Sequence, residues 1–197
     1  MTSLTRPLTI GGIALVLGAG LWAMRGARAY SPLPLYGQVT PFVGVDQDGR
    51  AITLEALQGA PWIADFIFTR CAGQCPLMSR RMAALHTALA ETPIHFVSFT
   101  VDPEYDTPAR LSVYARTYGA HPDRWRFVTT EPVEIQRLSQ DVFRLPFVSD
   151  GTPEEPITHS VRLVLVDQAG RIRGFYDAMD DDAVARLQDD ARRLAGR

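Results

Sequence analysis

Two cysteines, Cys71 and Cys75, stand four residues apart in the run Phe68-Thr69-Arg70-Cys71-Ala72-Gly73-Gln74-Cys75-Pro76, and the chain has no others. A thiolate is both a nucleophile and a soft metal ligand, so such a pair can close a disulfide or hold copper or zinc. The pair follows an apolar, strand-like run directly. At the opening of a helix this spacing predicts two sulfurs on one face, one turn apart. Backbone donors at the helix start would stabilise a thiolate there. A redox pair in this position usually has two residues between its cysteines. Three intervening residues still permit a disulfide, and they let two separately directed sulfurs grip one ion.

A soft metal wants a third ligand, and the chain has four histidines. His86 lies eleven residues beyond Cys75 on the same expected helix, too far along the axis to reach the same ion. His95 alternates within an expected strand and reads as a sheet residue, and His121 sits in a loop beside Pro122. His159 stands at the mouth of a strand after the loop 148–158, whose end should lie against the helix start that bears the cysteines. It is the candidate third ligand. Asp102 follows a core strand and has two readings: an outer group that orients a ligand or takes its proton, or a turn residue held by Pro103. Asp106 and Thr107 read as a helix cap. Met78 and Met82 read as core at helical spacing. Asp65 lies inside a strongly apolar strand, where a charge costs stability unless paired, and it receives no role.

The elements that must position these groups follow from periodicity and turn residues. Residues 42–45 and 51–54 around Asp46-Gln47-Asp48-Gly49 predict a hairpin. Strands are expected at 61–68, 94–101, 125–128, 161–166 and 172–175, and helices at 76–90, 107–118, 134–143 and 181–194. That order describes an α/β domain of three layers, thioredoxin-like, with an N-terminal hairpin extension. The cysteines would sit where its first core strand feeds a helix.

Before the domain, residues 8–24 are uncharged between Arg6 and Arg25, the short end for a membrane-spanning helix. We read 1–29 as a membrane anchor, or else as a secretory signal with Ala27-Arg28-Ala29 as a poor cleavage site. Either reading places the domain on the exported side, anchored in the first case and secreted or periplasmic in the second. Residues 30–37, with Pro32 and Pro34, read as a stiff linker, and 38–197 as the domain. A net charge of -2 gives no basic surface for nucleic acid. Two cysteines are too few to staple a fold, so a core must hold it.

Three motifs in order carry a family resemblance: Cys71 with Cys75-Pro76; Asp102-Pro103-Glu104 with Asp106-Thr107-Pro108; and Thr158-His159-Ser160 leading into Leu163-Val164-Leu165-Val166-Asp167. Across residues 38–195 the chain resembles the SCO/SenC family, membrane-tethered copper proteins that assist assembly of the copper centre of cytochrome c oxidase. The resemblance implies one copper ion per chain, Cu(I) or Cu(II), on Cys71, Cys75 and His159. It implies as partners the copper-site subunit of the oxidase, with other copper chaperones and a thiol reductant as further candidates. The chain departs from the family pattern at Ala72, where a proline is usual, and at Gly73 and Gln74 in the spacer. The reading is a metallochaperone rather than a turnover enzyme. The alternative is a membrane-tethered thiol-disulfide reductase acting on a copper-site partner, with Cys71 and Cys75 as its redox pair. Thioredoxin-type reductases place a proline where His159 stands, which favours metal. A peroxidase needs an arginine beside its reactive thiol, and neither Arg70 nor Arg162 is convincingly placed for it.

Overall fold

The computed structural model describes residues 32–148 and 157–196. The elements run β1 (Gly37–Gln38), β2 (Val43–Asp46), β3 (Ala51–Thr53), α1 (Leu54–Leu57), β4 (Trp62–Ile67), α2 (Cys75–Ala88), β5 (His95–Thr100) and α3 (Pro108–Thr117). They continue with β6 (Trp125–Thr129), α4 (Pro132–Arg137), a π-helical turn at Leu138–Val142, β7 (Arg162–Val166), β8 (Arg171–Asp177) and α5 (Asp181–Leu194). The strands form one mixed sheet in the order β1-β8-β7-β4-β5-β6-β2-β3. β4, β5 and β6 are parallel, so their carboxyl ends share one edge, and β7 runs antiparallel to β4.

β4 is buried at every position because both faces of the sheet are covered. Alternation sends Trp62 and Phe66 to one face, where they meet Phe143 beside the π turn at ring separations of 6.1 and 5.3 Å. Asp65 goes to the opposite face with its parallel partner Ser98. On that face, Trp125 and Phe127 of β6 meet His86 of α2 and Tyr114 of α3, respectively. Helix α5 packs beside α2, tied by the Arg81–Asp181 ion pair. Acidic Asp181 and Asp182 open α5 and Arg192 and Arg193 close it, which suits the helix dipole. The mixed α/β, thioredoxin-like arrangement is therefore as expected, and the N-terminal hairpin joins the main sheet through β2 and β6.

Four local features depart from the pattern reading. Helix 134–143 begins earlier, at Pro132, and its second half is the π turn, with Arg144 just beyond it at φ 55°. Helix α2 begins at Cys75, so Cys71 lies in the preceding turn rather than one helical turn below its partner. The stretch 33–37, read as part of a linker, lies along the sheet: Tyr36 N donates to Ile172 O at 2.9 Å, and Arg173 holds the carbonyls of Leu33 and Pro34. Of the 148–158 loop, only the ends are described, and Val148 and Thr158 exchange two backbone hydrogen bonds. The expected membrane segment, 1–29, lies outside the described residues. Among the described residues no helix is long and apolar enough to cross a membrane.

Candidate metal centre

Cys71, Cys75 and His159 converge although 84 residues separate the second cysteine from the histidine. Their ligand atoms all lie within 4.8 Å of one another. Each is placed by a separate element. Cys75 is the first residue of α2 and is fully buried. Pro76 follows it at a position where its missing N–H costs nothing. Gln74 offers no side-chain cap, so the open amides of the helix start face the turn that carries Cys71. Cys71 is half-buried, and its amide donates to Phe68 O at 3.3 Å. His159 follows the Val148–Thr158 bridge and stands edge-on to Phe68, ring centroids 5.6 Å apart.

The histidine tautomer follows from its neighbours. Nδ1 lies 3.0 Å from Ser160 O, which can only accept, so Nδ1 carries the proton. Nε2 is left with its lone pair toward the sulfurs, 2.9 Å from Cys75 Sγ. A backbone carbonyl fixing the distal nitrogen in this way is the usual support of a metal-binding imidazole.

The two thiols differ in acidity. Cys71 is pulled down to about 4, first by a hydrogen bond from Cys75, with the Cys75 and Gly73 amides adding to it against burial. Cys75 is pushed up, first by that same interaction with Cys71 and then by burial. The metal-free site thus holds one thiolate and one thiol. We expect iodoacetamide to modify Cys71 at a nearly constant rate from about pH 6 to 9, whereas an ordinary thiol gains about tenfold per pH unit below its pKa of about 8.5. Cys75 should react only after unfolding. Equal labelling of both cysteines, followed by mass spectrometry, would refute this asymmetry.

Asp102 is nearly buried at the end of β5, and its Oδ2 accepts from Arg70 Nε at 2.6 Å. It therefore acts on the turn through Arg70, the residue before Cys71. Asp106 does the same one residue earlier. Its Oδ2 accepts from Thr69 N at 3.0 Å and Thr100 Oγ1 at 2.5 Å, and its Oδ1 accepts from Thr69 Oγ1. The helix cap belongs to Thr107, which accepts from Arg110 N at 3.4 Å. The remaining histidines stay apart from the centre. His86 packs on Phe96 and Trp125, His95 is half-buried in β5, and His121 lies exposed by Asp123.

The model of the SCO1/SenC family matches residues 35–194. The chain belongs to that family. The SCO1 homologue of Bacillus subtilis is 35% identical to this SCO1/SenC protein over 151 residues, 75% of this chain and 78% of the relative. The structure of BsSco, a member of the Sco family of cytochrome c oxidase assembly proteins in which a disulfide switch was identified, superposes with a TM-score of 0.74 at 30% identity. It covers 84% of this chain and 98% of that one. ScoI of Arabidopsis thaliana, solved with copper bound, gives a TM-score of 0.67 at 25% identity, covering 80% and 99%.

Asp65 is the buried group that sequence reasoning left without a role. Neither of its oxygens makes a hydrogen bond. Burial is the largest influence on it and pushes it up to about 7. Its charge also helps to raise Cys75, so Asp65 lies within electrostatic reach of the centre of this SCO1/SenC protein.

Proposed function

We propose that this protein binds one copper ion between Cys71 Sγ, Cys75 Sγ and His159 Nε2 and passes it to the copper-site subunit of cytochrome c oxidase during assembly. The observation that carries this reading is the convergence of two sulfurs and an imidazole nitrogen within 4.8 Å. Two thiolates and one imidazole suit Cu(I), and an added oxygen ligand would complete Cu(II). Cys71, half-exposed and already a thiolate, is the sulfur a partner's thiol can share first, and Cys75 loses its proton as the metal enters. The copper reported in the Arabidopsis relative and the assembly role of the Sco family support the assignment. The uncharged run 8–24 supports an anchored domain on the exported side, with 1–29 as the anchor or signal.

A thiol-disulfide role is the second reading, favoured by the acidity gap between Cys71 and Cys75 and by the disulfide switch of BsSco. The two readings exclude one another in time, since oxidising both thiols removes two ligands.

Anaerobic Cu(I) titration of the reduced full-length chain tests the assignment. One ion per chain is expected, with affinity lowered at least tenfold by His159→Ala. If copper binds no more tightly than to a protein with both cysteines replaced by serine, the metal reading fails and the reductase reading takes its place.

A further inference from the structure

A cavity of about 460 Å³ opens along α3, lined by Thr69, Tyr105, Ala109, Arg110, Val113 and Tyr114 among others. Two contacts join it to the centre. Thr69 is two residues before Cys71, and Tyr114 Oη lies 2.9 Å from Ser79 Oγ on the helix that Cys75 opens. Part of its apolar lining faces solvent, with Val113 57% exposed.

The rim carries a cation held in place. Arg110 Nη1 donates to Tyr105 O at 2.6 Å, and its guanidinium carbon lies 3.8 Å from the centroid of the Tyr105 ring. The Arg70 guanidinium lies over the same ring at 4.8 Å, but Asp102 already neutralises it. Arg110 has no carboxylate partner among the described residues. The sequence of α3 includes Arg110 and Arg116 and no acidic residue. An arginine oriented by a backbone carbonyl and an aromatic face loses little further freedom when it binds a carboxylate with its remaining N–H groups.

We propose that this cavity docks an acidic, extended segment of the protein that exchanges copper with this chain, a proposal that rests on the copper-exchange reading above. A carboxylate of that segment pairs with the Arg110 fork, and a neighbouring apolar side chain fills the space over Val113 and Tyr114. A simple inorganic anion would satisfy the arginine but leave the apolar lining uncovered. An extended peptide serves both, because its successive side chains project to opposite sides at about 3.3 Å per residue. Docking there brings the partner's chain alongside the Thr69 to Cys71 turn, where Cys71 is the accessible sulfur.

The test uses the reduced, isotope-labelled full-length chain, metal-free and Cu(I)-loaded. The probe is a blocked hexapeptide alternating leucine and glutamate, and its counterpart has lysine in place of glutamate. We expect the glutamate peptide to shift the amide signals of residues 69, 105 and 109–117, and to bind less tightly as salt rises. Arg110→Glu should weaken it at least tenfold and Arg110→Lys less, with copper stoichiometry unchanged in both. No binding to the native chain, equal binding to Arg110→Glu, or equal binding of the lysine peptide would each overturn the proposal. Failure of the native chain to load copper would overturn the copper reading instead. It would show in the metal titration while peptide docking is still read on the metal-free protein.

Discussion

Replacing Asp65 by asparagine should flatten the pH profile of the metal-free protein's stability by roughly 4 kcal/mol between about pH 4 and pH 7. The carboxyl is fully buried, and burial lifts its pKa from 3.8 to about 7. Between those values the folded protein keeps a proton that the unfolded chain has released. Through Asp65, folding in that window takes up a proton, and this contribution to stability falls as pH rises until the folded-state group has itself ionised near 7. Asparagine cannot ionise, so its profile lacks that fall. Asp106 is also raised by burial, and His86 and His95 are lowered by it. Cys71, lowered to about 4, makes a contribution of the opposite sign, and all four groups titrate in both proteins and cancel in the comparison. Urea denaturation of native and Asp65→Asn chains at pH 4, 5.5 and 7.5 reads the difference. The variant should gain on the native protein steadily as pH rises, and parallel profiles would refute the account. Cys75 is the thiol of the centre that this carboxyl helps to raise, so the native protein keeps a destabilising acid within electrostatic reach of a ligand.

The sequence made the main elements legible because apolar periodicity and turn residues are local signals. Helix α5 spans the expected 181–194, and Thr107-Pro108 starts α3 as its types predict. The π turn was not legible, since a five-residue widening leaves almost no mark on a helical pattern. Strand β1 was missed for a different reason. Two residues carry no alternation, and only pairing with β8 makes Gly37 and Gln38 a strand. The convergence of Cys71, Cys75 and His159 was legible through scarcity: two cysteines and one histidine at a strand mouth leave few arrangements. The turn that carries Cys71 was misjudged as helix because side-chain spacing does not say where a helix opens, and Pro76 fits either start. The role of Asp106 was hidden by its neighbour. An aspartate beside Thr107-Pro108 looks like a cap, while its partners Thr69 and Thr100 are 37 and 6 residues away and are brought together only by the pairing of β4 with β5.

That hidden role implies a large effect at a residue that touches no ligand. Asp106→Ala should cost about 2–4 kcal/mol, because it strands the buried Thr100 hydroxyl and removes the acceptor of the half-buried Thr69 amide and hydroxyl. Asp106→Asn keeps one acceptor oxygen and should cost about 1–2 kcal/mol. The damage should extend to the metal centre by a definite route. Thr69 and Arg70 are the two residues before Cys71, and the loop from Asp102 to Asp106 grips them with one carboxylate each. The loop is itself closed by Asp106 N donating to Asp102 O at 2.8 Å, and Asp102 N donates to Thr100 Oγ1 at 3.0 Å. The two carboxylates therefore act through one rigid turn. Asp106→Asn should leave the stoichiometry at one copper while weakening Cu(I) binding severalfold, since the turn must now be ordered as the metal binds. Asp102→Asn should do the same at a smaller cost to stability, because Arg70 is largely exposed and reaches water when released. Urea denaturation and Cu(I) competition titration on both variants separate the two effects. A protein that loses stability at Asp106 with unchanged copper affinity would reduce the aspartate to a packing role. Parallel losses would identify the Asp102–Asp106 loop as the element that presents Cys71 to the metal.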